Sequence, residues 1–214
     1  LVYFKETHMR KCYSIPLSTT LGIAASLPVA AGELAIKVQL PEINTGEYLR
    51  PYLAIWVEKA DDTFVETLSL WHMLKGKRGQ ELPQGDRYLN TLRSWWKQSG
   101  TSSQMPIDGI SSPTRAPGEH ELVFTEGKVP FNKLAPGKYQ LVFEVSREIK
   151  GPPPIGPDGL PLAMGAGMAA GMGGASKDAL EELRLDFEWP VKKSTQIQAK
   201  GQKELGNVTL LLTP

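Results

Sequence analysis

The chain has 214 residues, 41% of them hydrophobic and 22% charged, with a formal net charge of +1. That length holds one domain with a proper core and is short for two. Setting aside residues 1–31 removes three of 24 basic and one of 23 acidic residues and leaves a net of −1, which excludes the concentrated basic face that nucleic-acid phosphates demand.

The first residues read as an address. Residues 1–8 precede the first methionine and read as an upstream extension; Met9-Arg10-Lys11 then supplies a positive start. A short apolar stretch over 15–27 follows, closed by Pro28-Val29-Ala30-Ala31-Gly32. A basic start, a brief apolar run and small residues at the −3 and −1 places (Val29 and Ala31) predict a secretory signal peptide cleaved after Ala31. The run, interrupted by Ser18, Thr19 and Thr20, is too short to serve as a membrane anchor. The only cysteine, Cys12, precedes it, so the mature part carries no disulfide and no thiol nucleophile, and a lipoprotein anchor is not expected. The expected product is periplasmic, with no membrane span in the mature chain.

From Gly32 onward the dominant period is two. Leu34, Ile36, Val38 and Leu40 alternate with Ala35, Lys37 and Gln39, the pattern of a strand with one buried face. Strands are predicted next over 50–58 and 64–71, joined by the turn-forming Asp61-Asp62. Over 86–100 the period changes: Tyr88, Leu89, Leu92, Trp95 and Trp96 make the stripe of an amphipathic helix, with Asp86 as its cap and Gly100 at its end. Strands resume over 119–124 and 138–145, around the turn Ala135-Pro136-Gly137, and close the chain over 183–189 and 208–212. Residues 151–176, rich in Gly, Pro, Ala and Met, read as a flexible insertion. The expectation is an all-β protein, an immunoglobulin-like antiparallel β-sandwich over 32–214 with one short amphipathic helix.

Catalytic and metal-binding patterns are sparse. Beyond residue 31 the histidines are His72 and His120, and neither a Gly-x-Ser-x-Gly elbow, a His-Glu-x-x-His or Cys-x-x-Cys spacing, nor a phosphate-cradling glycine loop is present. The composition therefore points to an accessory or binding module without its own catalytic apparatus. A metal-handling protein using His72, His120 and the loop methionines Met164, Met168 and Met172 is a second alternative, since thioethers favour soft metals.

The stretches 50–58, 67–71, 88–96 and 108–119, with the closing Glu204-Leu205-Gly206-Asn207-Val208, resemble the predicted periplasmic proteins of domain-of-unknown-function family 2271, from about Leu34 to Leu212. The Pro117-Gly118-Glu119 and Pro136-Gly137-Lys138-Tyr139 turns also resemble those of immunoglobulin-like modules in flagellar hook-cap proteins. In relatives the segment matching 108–114 often reads Asp-x-x-Ser/Thr-Gly-Ala-Thr, similar to the site where an exported flavin transferase links FMN, through its phosphate, to a Thr or Ser hydroxyl. Here it reads Asp108-Gly109-Ile110-Ser111-Ser112-Pro113-Thr114, with Ser112-Pro113 in place of Gly-Ala. The resemblance implies, as the first alternative, a covalent FMN carrier for extracytosolic electron transfer, with a PepSY-type membrane protein and a flavin transferase as partners. Thr114 would be the acceptor, Asp108 and Ser111 would present the loop, and Trp95 or Trp96 would stack on the flavin ring.

Overall fold

The computed structural model describes residues 31–43, 49–74, 89–100, 105–147 and 180–214. The expected signal peptide up to residue 30, Asp86 and Tyr88, and the insertion over 151–176 lie outside the described residues.

The described residues form nine strands in two layers. One sheet has the order β5-β1-β9-β8: β1 (Glu33–Leu40) sits between β5 (Gly118–Thr125) and β9 (Asn207–Thr213), with β8 (Thr195–Lys200) at the edge. The other has the order β4-β3-β2-β6-β7, from β4 (Ser111–Pro113), β3 (Phe64–His72), β2 (Tyr52–Lys59), β6 (Gly137–Ser146) and β7 (Leu180–Trp189). The expected β-sandwich is therefore the fold, with one departure from a purely antiparallel arrangement: β4 runs parallel to β3.

Alternation along each strand builds the core between the sheets. Leu34, Ile36, Val38, Val208, Leu210 and Leu212 from the first sheet meet Leu53, Ile55, Val57, Leu141, Phe143 and Val145 from the second. β2 is buried along nearly its whole length because its second face is covered too, which explains why it reads as an almost continuous apolar run.

That cover is the segment 89–100. Leu89, Leu92 and Trp95 pack over Tyr52, Ala54, Trp56, Leu70 and Val142 on the outer face of the five-stranded sheet. Of the expected apolar stripe, Leu89, Leu92 and Trp95 are buried and Trp96 partly so, but one continuous α-helix does not form. The chain instead passes through a 3₁₀ turn (Leu89–Thr91), an α-turn (Arg93–Trp95) and a π-turn (Trp96–Gly100). Leu89, Leu92 and Trp95 recur every three residues, the period of a 3₁₀ helix and not of an α-helix. Leu92, the residue preceding the α-turn, offers no side-chain cap. Orphan N–H groups at Ser94 and Trp95 bond instead to the Glu144 carboxylate on β6, at 3.0 and 2.9 Å. A second buried carboxylate, Glu58 on β2, accepts bonds from Trp56 Nε1 (2.6 Å), Gln98 Nε2 (2.7 Å) and the Arg184 guanidinium (2.6 Å). Two acids thus fasten the helical segment to the sheet, each with its charge met by donors.

Sequence patterning missed β4 and β8. In β8 only Ile197 and Ala199 face the core, between glutamines, as befits an edge strand. β4 is three residues long and ends at Pro113, which lacks an N–H donor and is tolerated at an edge.

At one end, Arg147 and Glu204 form a buried two-pronged pair at 2.9 Å on each prong. Beside it the Glu181 carboxylate takes the backbone N–H groups of Gln202, Lys203, Glu204 and Leu205. Gly201 passes so close to Leu205 and Glu181 that a Cβ there would clash with both. This closure holds β8 and β9 against β7.

Candidate functional site

The segment 105–117 crosses the free edge of β3 and carries every residue singled out at 108–114. It starts with a tight turn in which Ile110 N–H and Ser111 N–H both bond to Ile107 C=O, at 3.2 and 2.8 Å. Gly109 sits in this turn at φ +72°, a conformation that L side chains rarely adopt. Asp108, at the tip, is exposed. The chain then joins the sheet: Leu70 N–H bonds to Ile110 C=O (3.0 Å), and Ser111, Ser112 and Pro113 pair with Leu70, Trp71 and His72.

The three hydroxyls of the stretch have different fates. Ser111 Oγ accepts the Ile107 N–H (3.0 Å) and shares a hydrogen bond with Nε2 of buried His72 (3.1 Å), so it is a structural clamp. Ser112 Oγ is buried, with no hydrogen-bond partner among the described residues. Thr114, just past the end of β4, is half-buried, and its hydroxyl is engaged by no hydrogen bond among the described residues. Asp108, Ser111 and Thr114 therefore share one rigid segment but not one role.

Next to Thr114, the Arg115 guanidinium lies over the ring of Trp71, its Cζ 4.2 Å from the ring centroid. Trp71 is fully buried and donates its indole N–H to Ser69 Oγ (3.0 Å). His120 meets the same indole edge-on, at 5.4 Å between centroids, and its Nε2 lies 2.8 Å from Ala116 C=O. Burial lowers the pKa of Arg115. The guanidinium remains a cation, and no carboxylate lies within ion-pair distance of it among the described residues.

The two histidines do not share a site. Trp71 and His72 are consecutive on β3 and project to opposite faces. His120 stacks on the inner residue, whereas His72 reaches Ser111. Among the described residues no group of three or more His, Cys, Asp or Glu side chains is placed to hold a metal. Trp95 is also not available to a flavin ring: it is fully enclosed, with its indole N–H on Thr67 Oγ1 at 2.9 Å. Trp96 is half-buried against the same cluster. Sequence reasoning missed both the His72–Ser111 clamp and the Arg115–Trp71 stack, which join residues 39 and 44 positions apart.

A cleft of about 840 Å³ opens at the opposite edge of the sandwich, between β7 and β8, lined by Tyr139, Phe187, Val191, Ile197, Lys192 and Lys193. It includes none of the residues at 108–115.

Residues 33–155 match the family DUF2271, described as predicted periplasmic protein. The chain belongs to this family. The match spans β1 to β6, the helical segment and the whole of 105–117, and is shorter than the expected resemblance: β7, β8 and β9 lie beyond it, although they complete both sheets. No curated protein and no solved structure matches the chain. No helix among the described residues is long and apolar enough to cross a membrane. This DUF2271 domain is thus a β-sandwich that pairs one edge segment with β3 and carries at its end Thr114 followed by Arg115 stacked on Trp71.

Proposed function

We propose that this DUF2271 protein is an exported module without catalytic apparatus of its own, released into the periplasm by cleavage after Ala31, and that it works as a carrier for covalently attached FMN. The observation that carries this reading is the uncommitted hydroxyl of Thr114, held at the end of β4 while Ser111 is locked to His72 and Ser112 is buried.

The loading step is one phosphoryl transfer by a partner flavin transferase from a flavin dinucleotide. Thr114 Oγ1 attacks the phosphorus on the flavin side of the diphosphate, and the Oγ1–P bond forms. The P–O bond to the nucleoside monophosphate breaks, that group leaves, and the hydroxyl proton passes to a base of the transferase. The domain itself supplies position alone. Pairing of Ser111–Pro113 with β3 makes the transferase come to a fixed acceptor. Pro113 stiffens that approach where relatives carry Gly-Ala. Once loaded, the flavin takes and gives electrons, with a PepSY-type membrane protein as the partner. Intact-mass measurement of the protein co-produced with a flavin transferase tests the reading.

A further inference from the structure

We infer that Arg115 is a phosphoryl-binding residue: stacked on Trp71 beside Thr114, its guanidinium takes the oxyanion of a phosphate ester held at the end of β4. The inference rests on the carrier reading only for the source of that phosphate.

The geometry carries it in three steps. Trp71 seats the guanidinium over its ring, with Cζ 4.2 Å from the ring centroid, a cation–π contact that leaves the five N–H donors without a carboxylate partner among the described residues. Trp71 is itself fully buried and hydrogen-bonded to Ser69, with His120 edge-on against it. The arginine is therefore seated before any ligand arrives. Finally, its charge is partly desolvated and meets no carboxylate among the described residues, an arrangement that costs free energy unless an anion completes it. Two other arginines do have acidic partners: Arg184 binds Glu58, Asp62 and Glu182, and the buried Arg147 binds Glu204. A guanidinium fork matches two phosphoryl oxygens, and the sequence neighbour Thr114 supplies the hydroxyl through which such a phosphate is attached.

Two sources share this chemistry, a free phosphate ester and the phosphodiester of a nucleotide linked to Thr114. The test follows the Arg115 side-chain N–H resonance of the full chain during titration with inorganic phosphate and then with free FMN, against chloride at matched ionic strength. A saturable shift with phosphate and FMN but not with chloride is expected. Arg115→Gln is expected to weaken binding roughly tenfold or more, the usual worth of a charge-assisted hydrogen bond. Arg115→Lys keeps the charge but loses the fork and should bind weakly. Thr114→Ala should leave binding of the free ester intact. The near-ultraviolet circular dichroism of each variant, compared with wild type, separates lost binding from lost packing.

Absence of a saturable shift, or equal affinity in a folded Arg115→Gln protein, overturns the inference. The two proposals fail separately. If Thr114 is never loaded while Arg115 binds phosphate, the carrier reading falls and the phosphoryl site stands on the free ester. If Thr114 is loaded and the ³¹P resonance of its phosphodiester is the same in wild type and Arg115→Gln, the carrier reading stands and the role of Arg115 falls.

Discussion

Glu144 on β6 accepts the backbone N–H groups of Ser94 and Trp95, capping a helical segment whose own sequence provides no cap. Truncating it leaves both donors unmet, one of them fully buried. Glu144→Ala is expected to cost about 2–4 kcal/mol, read from urea unfolding, with the near-ultraviolet signal of Trp95 perturbed. Burial holds the Glu144 carboxyl above the usual carboxylate range, against the pull of those N–H bonds. A raised folded-state value means that its contribution is fully present below the unfolded value and is lost as pH rises through the folded one.

Glu181 carries the opposite sign. Burial alone would raise its carboxyl, but bonds from the backbone N–H groups of Gln202, Leu205, Lys203 and Glu204 outweigh that effect and hold it below the usual range. Its contribution is present above the unfolded value and lost as pH falls through the lowered one. Glu181→Gln should therefore flatten the acid limb of the stability profile, while Glu144→Gln should relieve the loss on rising from acid toward neutral pH. Urea midpoints measured across the acid range check both, and parallel profiles for the two variants would contradict the assignment.

Ile55 lies at the centre of β2, fully buried on the face toward β1 and β9. Ile55→Ala is expected to cost about 2–5 kcal/mol in equilibrium unfolding. A loss below about 0.5 kcal/mol, the usual surface range, would contradict the strand register.

Such core positions were legible in the sequence because a period of two is imposed by the pleat itself. Leu34, Ile36 and Val38 on β1, and Leu141, Phe143 and Val145 on β6, all face the core as their alternation predicts. What escaped the sequence depends on contacts between distant residues. β4 is a strand because β3 offers Leu70, Trp71 and His72 an unpaired edge, not because Ser-Ser-Pro favours extension. The segment 89–100 is capped by an acid from another strand, so its local α-helical pattern overstated its regularity. At the candidate site, Thr114 was found by resemblance, while Arg115 was passed over because nothing in Thr-Arg-Ala-Pro announces an indole 44 residues earlier.

The proposed cleavage after Ala31 would make Gly32 the first residue, directly ahead of β1, where its Cα packs so tightly on the Trp189 ring that a Cβ would clash. N-terminal sequencing of the exported protein is expected to begin at Gly32. A mature chain that still carries Arg10-Lys11 would contradict the signal peptide.

The carrier reading rests on a single bond at Thr114, and the intact mass of the mature protein co-produced with a flavin transferase tests it most directly. The expected result is a mass gain equal to FMN less one water, located to the Thr114 peptide and absent from Thr114→Ala, with Ser111 and Ser112 unmodified. A wild-type chain that stays unmodified, while a related domain carrying Gly-Ala before its threonine is labelled in the same cells, would contradict it.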